Sequence, residues 1–393
     1  MLRLRPGREK SLRQRHPWIF SGAIASVEGT PGAGGTVEVR EAQGRFLARA
    51  AFSPQSQIRA RVWTFDARET VDAGFIARRV ARAVEARASM LDRLHTGCRL
   101  IHGESDGLPG VVADRYADTV VLQLSSAGAE RWRDAIVTAL VTATGARCVY
   151  ERSDADVRKL EGLPPRNGVA HGELPETVTF VEDGIAYRVD VIGGQKTGFY
   201  LDQRANRAAV RALASGGRML NVFAYTGAFA LAALAGGAAH VVSVESSADA
   251  LTLARGNLAR NPALPAARAE WREADAFAEL RRMRDRGAAF DLIVLDPPKF
   301  APTAAHAERA ARAYKDVNLW ALKLLRPGGM LATFSCSGGI DAALFRKIVA
   351  GAALDAASEA SVVAHFGAAA DHPVALAFPE GDYLKGLLIR KTA

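Results

Sequence analysis

The sequence is poor in cysteine, and its three cysteines are far apart. Cys98, Cys148 and Cys336 form no CxxC pair and no Cys/His cluster. Neither a disulfide framework nor a zinc site is therefore expected. This usage fits a reducing compartment and predicts a cytoplasmic protein with no metal site.

Long uncharged runs are almost absent as well. Residues 221–244 carry no acidic or basic side chain except His240, but Gly and Thr interrupt them and predict two short strands around a helix rather than a membrane span. The first six residues include two arginines, Arg3 and Arg5, and lack the apolar segment of a signal peptide. We expect no membrane partner.

Basic residues outnumber acidic residues in the 393-residue chain, which has a formal net charge of +9. Residues 1–70 hold 12 basic and 6 acidic side chains, so most of the surplus lies at this end. A basic balance favours polyanionic partners such as nucleic acid, although a solvated basic terminus explains the charge equally well.

The length allows two or three domains, and the residue patterns divide the chain. Residues 1–70 alternate short β-like runs with turn signals, and residues 71–190 begin with helical periodicity up to about Arg99 and then form an α+β unit. Within it, residues 163–168 are typical of a turn or loop and residues 178–191 of a hairpin.

From about residue 205 strand and helix signals alternate, which predicts an α/β doubly wound parallel sheet. The predicted strands are 218–223, 240–245, 290–295 and 329–335, and the predicted helices are 227–235, 247–259, 304–325 and 340–352. Ligands of such sheets bind at the carboxyl ends of the strands.

The first candidate site is the strand-to-helix corner at residues 220–229. It contains Gly227 but no GxGxxG, which disfavours a dehydrogenase. Glu245 ends the next strand, where a carboxylate accepts ribose hydroxyls, and Asp275 precedes a helix, as an adenine contact or as an ordinary N-cap. Two acids without a phosphate-binding loop suit a nucleoside, of which S-adenosylmethionine is the commonest cofactor.

Two further strand ends carry unusual residues. Asp296-Pro297-Pro298 follows the strand at 290–295, and its stiff backbone holds Asp296 and Phe300 at the edge of the sheet. Cys336 lies between two serines at the end of the strand at 329–335. A lone strand cysteine is usually an inert hydrophobe, but the polar setting favours an accessible thiol.

Together these segments resemble class I S-adenosylmethionine-dependent methyltransferases. The whole chain is similar to bacterial 23S ribosomal RNA (cytosine-C5)-methyltransferases that carry an N-terminal PUA domain. The most specific matches are RHPWIFSG at 15–22, GFYLDQR at 198–204, DPPKF at 296–300 and FSCSG at 334–338.

The resemblance implies an N-terminal PUA-like β-barrel at 1–70, an α+β accessory domain at 71–190 and a Rossmann-like methyltransferase domain at 191–393. It implies catalytic roles for Cys336 and Asp296. The implied cofactor-binding residues are Asn221, Phe223, Tyr225, Gly227, Glu245, Asp275, Asp296, Asp202, Gln203 and Arg204. Contacts to large-subunit ribosomal RNA are expected from Arg13, Arg15, Trp18, Lys299 and Phe300, with barrel core as the alternative role of Trp18. The resemblance also makes a homodimer plausible.

The expected chemistry is addition of the Cys336 thiolate to carbon 6 of cytosine, which activates carbon 5 for methylation. A guanine-directed methyltransferase of the same architecture needs no cysteine, and a non-catalytic RNA-binding or ribosome-assembly protein needs no cofactor. The sequence leaves these two alternatives open.

Overall fold

A computed structural model describes residues 1–300 and 307–392. It divides into two compact units: one contains residues 1–184, 189–201 and 370–381, and the other contains residues 185–188, 202–369 and 382–393. No helix in these described ranges is long and apolar enough to cross a membrane. The boundaries at residues 70 and 190 stay a prediction.

The first unit begins with a six-stranded mixed sheet in the order β2-β6-β5-β4-β1-β3. Its strands are β1 (Leu2–Leu4), β2 (Trp18–Phe20), β3 (Ile24–Val27), β4 (Thr36–Arg40), β5 (Phe46–Phe52) and β6 (Ile58–Thr64), and the short helix α1 (Lys10–Arg13) follows β1. Alternate residues of β4 are buried in the core of this sheet, as expected for a strand with one solvated face. The β-rich expectation for this region is confirmed.

A second, five-stranded sheet follows in the order β11-β10-β9-β8-β7. Its elements are α2 (Ala73–Glu85), β7 (Gly97–His102), β8 (Val111–Tyr116), β9 (Thr119–Leu124), α3 (Ala127–Arg131), α4 (Arg133–Thr144), β10 (Cys148–Ser153), α5 (Val157–Leu160) and β11 (Arg166–Gly172). Ala51 and Trp63 of the first sheet are part of the core under this second sheet, so the two sheets share buried side chains.

Two local expectations for this region are wrong. The loop predicted at 163–168 ends at Pro165, because β11 begins at Arg166 and pairs antiparallel with β10, and Gly168 adopts a φ of 145° that suits glycine. The helix predicted toward Arg99 stops at Glu85, and Asp92 instead caps a tight turn by accepting a hydrogen bond from the Leu94 amide. The hairpin prediction is confirmed by β12 (Val178–Glu182) and β13 (Ile185–Val189).

The second unit is built on a seven-stranded sheet in the order β16-β15-β14-β17-β18-β20-β19. Its strands are β14 (Arg218–Val222), β15 (His240–Glu245), β16 (Ala269–Glu273), β17 (Phe290–Leu295), β18 (Leu325–Ser335), β19 (Ala360–Gly367) and β20 (Lys385–Lys391). Its helices are α6 (Arg204–Leu213), α7 (Ala228–Ala235), α8 (Ala248–Ala259), α9 (Ala276–Asp285), α10 (Ala307–Leu324) and α11 (Ala342–Asp355). The predicted doubly wound sheet is confirmed, and residues 304–306 of the predicted helix lie outside the described residues.

The strand order fixes where this sheet binds a ligand. The five strands from β16 to β18 are parallel, and the order reverses at β14 because β15 lies on one side of it and β17 on the other. The crevice at such a reversal point lies beyond the carboxyl ends of β14 and β17. The difference from the expectation is β20, which enters antiparallel between β18 and β19.

Candidate active site

The segment after β14 has an unusual backbone. Phe223, Tyr225 and Gly227 have positive φ angles of 62°, 47° and 80°, alternating with ordinary residues. A non-glycine residue in this region costs about 1–3 kcal/mol and clusters at functional sites. A Cβ on Gly227 would meet the Trp271 ring at 2.7 Å, so internal packing itself requires this glycine.

Asn221 and Thr226 provide unsatisfied polar atoms beside this segment. Asn221 is 1% exposed, and neither its side-chain oxygen nor its nitrogen has a hydrogen-bond partner within the described residues. The hydroxyl of the buried Thr226 also has no hydrogen-bond partner within the described residues. Since a buried polar group without a partner costs about 1–3 kcal/mol, these atoms fit a site that receives a polar ligand.

Glu245 organises the same corner from the end of β15. Its carboxylate accepts hydrogen bonds from the amides of Tyr225 at 2.8 Å, Ser246 at 2.8 Å and Ser247 at 3.0 Å. These bonds fix the carboxylate at the carboxyl edge of the sheet. The remaining lone pairs suit the ribose hydroxyls predicted from the sequence.

Asp275 is the N-cap of α9, and its carboxylate accepts a hydrogen bond from the Ala278 amide at 2.9 Å. The capping alternative is therefore confirmed. Because one carboxylate oxygen makes this bond, the other oxygen stays available to a base at this exposed position.

Aromatic rings line the crevice between these acids and β17. Phe300 has ring centroids 6.3 Å from Phe223, 6.0 Å from Phe277 and 4.9 Å from Tyr314. Such a group offers an apolar wall to a planar base. Phe300, predicted as an RNA contact, is half-buried in this cluster, whereas the neighbouring Lys299 is exposed.

Asp296 and Cys336 lie at the ends of neighbouring strands. Asp296 directly follows β17 and Cys336 directly follows β18, and the two strands pair in parallel with Leu295 opposite Thr333. Both residues are half-buried. The carboxylate and the thiol thus share one edge of the sheet, as the sequence predicts.

The other two cysteines have a different environment. Cys98 and Cys148 are fully buried, and burial raises the pKa of the Cys148 thiol. Of the three, Cys336 alone is accessible to a substrate. The catalytic role of Cys336 stays a prediction.

Lys385 and Tyr314 are functional candidates that the sequence reasoning missed. Lys385 pairs with Ser335 across β20 and β18, and its Nζ donates hydrogen bonds to the carbonyls of Ser337 at 2.9 Å and Ile340 at 2.6 Å. Burial lowers the pKa of Lys385, while the nearby Cys336 raises it. This cation therefore interacts electrostatically with the thiol.

The Tyr314 hydroxyl lies 2.9 Å from the hydroxyl of Ser337, the residue that follows Cys336. Burial raises the pKa of Tyr314, and Cys336 raises it further. No local sequence signal marks either residue, because β20 and α10 both contain other polar side chains.

Asp202, Gln203 and Arg204 lie at the start of α6. The Tyr383 hydroxyl donates to the Asp202 carboxylate at 2.6 Å, and the Gln203 carbonyl accepts from Asn206 at 2.5 Å. Asp202 and Gln203 are buried in these contacts. Asp202 thus ties the start of α6 to the segment before β20, while the bond of Gln203 stays within the first turn of α6. The cofactor role of the three residues stays a prediction.

Three of the predicted RNA contacts, Arg13, Arg15 and Trp18, belong to the first unit. Arg13 forms an ion pair with Glu41 at 2.7 Å, and the Arg15 guanidinium lies 5.1 Å from the Phe65 ring centre. The Trp18 indole is half-buried and donates to Glu104 at 2.8 Å. Arg13 and Arg15 are exposed to solvent, whereas Trp18 is held by internal partners.

Comparisons with known proteins agree with this geometry. Residues 2–65 match the profile of a family described as a PUA-like domain, and residues 166–387 match a family described as S-adenosylmethionine-dependent methyltransferase. The chain is 52% identical over 392 residues to the "Ribosomal RNA large subunit methyltransferase I" of Shewanella denitrificans, covering 99% of this chain and 98% of the relative. It is 53% identical over 386 residues to the protein of the same name from Aeromonas salmonicida, covering 98% and 97%.

Solved structures show the same fold. An S-adenosylmethionine-dependent methyltransferase from Streptococcus mutans aligns with a TM-score of 0.85 and 22% identity, covering 100% of this chain and 99% of the other. A methyltransferase crystallised in complex with SAH aligns with a TM-score of 0.87 and 23% identity, with the same coverage.

Proposed function

The chain belongs to the S-adenosylmethionine-dependent methyltransferase family and, within it, to the group named ribosomal RNA large subunit methyltransferase I, and from this premise we propose that it forms 5-methylcytosine in 23S ribosomal RNA through a Cys336 adduct. The observation that carries the proposal is the half-buried Cys336 at the end of β18, next to β17, which Asp296 directly follows. The other two cysteines are fully buried.

The cofactor is S-adenosylmethionine, which supplies an electrophilic methyl group when bound. Glu245 would accept the ribose hydroxyls, and Asp275 with the rings of Phe223 and Phe277 would hold the adenine. The unsatisfied Asn221 amide suits polar atoms of the same ligand. Gly227, whose φ is positive, ends the segment of Phe223 and Tyr225 that shapes this pocket.

A nucleophile is needed because carbon 5 of cytosine is a poor nucleophile by itself. The Cys336 sulfur forms a bond to carbon 6, and the electron pair of the 5,6 double bond then becomes available at carbon 5. After carbon 5 is methylated, loss of its proton returns an electron pair to the ring and expels the thiolate. The cysteine is thereby regenerated.

Charged groups on both sides support this addition. Asp296 would hold the protonated nitrogen 3 or the amino group of the base, and would so stabilise the charge that develops on the ring once the sulfur has added. The Lys385 ammonium, which interacts with Cys336, favours the thiolate over the thiol. Both groups act on charge that develops during the reaction.

The RNA would be bound in part by the first unit. Arg13 and Arg15 are exposed and supply positive charge for phosphates, and Trp18 adds an aromatic edge. Lys299 would contact the strand near the flipped base, whose unstacking costs a few kcal/mol. A homodimer and a cytoplasmic location stay predictions.

The decisive experiment uses RNA containing 5-fluorocytidine. Fluorine at carbon 5 cannot leave as a proton does, so the adduct between Cys336 and the base should persist in denaturing gels. Cys336→Ala should give no adduct, and Cys148→Ala, the matched change at a buried cysteine, should give the wild-type amount.

The opposite result has a specific meaning. Methylation of the RNA without an adduct, or by Cys336→Ala at the wild-type rate, would favour the guanine-directed alternative, in which a ring or exocyclic nitrogen accepts the methyl group directly. Absence of any heat on titration with S-adenosylmethionine would favour the non-catalytic RNA-binding alternative.

A further inference from the structure

Helices α9 and α10 form a basic surface that the proposed reaction does not use. Residues 276–286 contain four arginines and two acids, and residues 307–324 contain four basic residues and two acids. Arg281, Arg284 and Lys323 are among the exposed members. The two helices together carry a net charge of +4.

Three of these cations surround a single aromatic ring. The charged groups of Arg281, Arg284 and Lys323 lie 5.5, 4.9 and 5.0 Å from the centre of the Trp320 ring. Asp316 holds the ring and one cation in place, because it accepts from Trp320 Nε1 at 2.8 Å and from Arg281 at 2.6 Å. We call these three cations and Trp320 the Trp320 cluster.

The Trp320 cluster concentrates positive charge at an exposed site. Each cation lies within 5.5 Å of one ring centre, so no two are farther apart than twice that distance. The ring face attracts cations, but like charges this close still repel one another. In duplex DNA one strand carries a phosphate about every 3.4 Å of the axis, and by that spacing the upper limit reaches across at most about three successive phosphates.

The position of the Trp320 cluster separates it from the reacting edge. Helix α10 begins at Ala307, shortly after Asp296, and Trp320 lies 13 residues farther along, about 20 Å at the helical rise of 1.5 Å per residue. Helix α9 likewise begins beside Asp275 and ends at Asp285. The cluster therefore lies toward the amino ends of the strands.

Cations near helix C-termini also complement the helix dipole, and that accounts for single residues such as Lys323. It does not account for the convergence of residues from two helices on one ring. Asp316 pairs with Arg281 and Asp285 pairs with Arg284 at 3.1 Å, and these two acids offset part of the repulsion between the cations. A bound polyanion would offset the remaining positive charge more strongly than water and dilute counter-ions do.

We propose that the Trp320 cluster binds the phosphate backbone of the RNA substrate at a segment distant from the target nucleotide. The proposal rests on the proposed function only in taking RNA as the substrate. The Trp320 cluster contributes to the affinity for long RNA and takes no part in methyl transfer.

The test measures binding of a labelled transcript of large-subunit ribosomal RNA to the full-length protein at several salt concentrations. The triple variant Arg281→Gln, Arg284→Gln, Lys323→Gln should bind at least about 10-fold more weakly at low salt. The slope of log affinity against log salt should fall by about 2, since each phosphate contact contributes about 0.7 to 0.9.

Two matched variants separate the effect of where the charge lies from the effect of the charge itself. Arg188→Gln, Arg255→Gln, Arg260→Gln removes the same charge from exposed residues on β13 and α8, and it should bind like the wild type. Arg281→Lys, Arg284→Lys, Lys323→Arg keeps the charge of the cluster and should retain the wild-type salt slope.

The proposal is overturned if the first triple variant binds like the wild type, or if the variant on β13 and α8 loses as much affinity. Neither result bears on the adduct with 5-fluorocytidine. Conversely, a missing adduct defeats the covalent mechanism and leaves this binding measurement intact.

Discussion

The carboxyl ends of β14 and β15 and those of β17 and β18 belong to one edge of one sheet, but they are built differently. The first pair forms its site mainly from backbone: alternating positive φ angles at Phe223, Tyr225 and Gly227, and a Glu245 carboxylate held by three amides. The second pair presents side chains, Asp296 and Cys336.

This difference separates two tasks. A nucleoside is recognised by its shape and by a few fixed hydrogen bonds, which a rigid backbone provides. Bond formation depends on single groups that touch the reacting atoms. Substitutions in the first region should therefore change cofactor affinity and stability, and substitutions in the second should change the rate.

The largest expected effect tests the second region. Cys336→Ala should lower kcat by at least about 10³-fold, equivalent to ~4 kcal/mol of activation free energy, because no nucleophile remains for carbon 6. Calorimetry should show unchanged affinity for S-adenosylmethionine. Cys148→Ala is the control and should keep its activity, and weakened cofactor binding in Cys336→Ala would contradict the division of tasks.

Gly227→Ala tests the first region. The new methyl group would sit 2.7 Å from Trp271 and 3.0 Å from Ala254, at a φ that disfavours alanine. We expect a loss of about 1–3 kcal/mol in the free energy of unfolding, measured by urea denaturation, together with weaker cofactor binding.

Gly256→Ala is its matched control within α8, where the added methyl group meets no atom within 4 Å. That change should raise the free energy of unfolding by about 0.5–1 kcal/mol. Equal effects of the two substitutions would disprove the packing argument for Gly227.

Lys385→Met tests the electrostatics around the thiol. The ammonium and a Cys336 thiolate stabilise each other, so removal of the cation should shift the pH profile of Cys336 alkylation upward. Lys385→Arg should restore most of the wild-type profile. An unshifted profile in the Met variant would show that Lys385 acts only through its two hydrogen bonds to backbone carbonyls.

The smallest expected effect concerns Asn221. In Asn221→Leu the unsatisfied buried amide is replaced by an apolar group of similar shape, so the ligand-free protein should gain about 1 kcal/mol in the free energy of unfolding. Cofactor affinity should fall by about 10-fold, since a hydrogen bond of ~1.4 kcal/mol is lost. A variant that is more stable and binds equally well would show that Asn221 does not contact the cofactor.

The sequence was sufficient for the alternating strands and helices of the parallel part of the second unit, because those signals are local. Alternating strands and helices, the Asp-Pro-Pro turn and the acid at the end of β15 all lie within a few residues of the feature that they predict. Helix α9, for example, begins at Ala276 directly after Asp275, as the capping pattern indicates.

The rest depends on contacts between distant parts of the chain. Lys385 meets the Cys336 segment only because β20 enters the sheet antiparallel beside β18, and no local pattern predicts that order. Likewise, Arg166 joins β11 because β10 offers a partner edge. Positive φ angles at Phe223 and Tyr225 are equally hidden, since neither residue type favours them.

Because β20 brings Lys385 to Cys336, the reactivity of the Cys336 thiol also reports on folding. Cys336 and Lys385 are 49 positions apart in the sequence, and they become neighbours only when this strand inserts between β18 and β19. Cys98 and Cys148 lose their labelling as they become buried, so labelling has to be measured for Cys336 separately. During refolding, a rise in Cys336 labelling at neutral pH should therefore record the moment at which the sheet is completed.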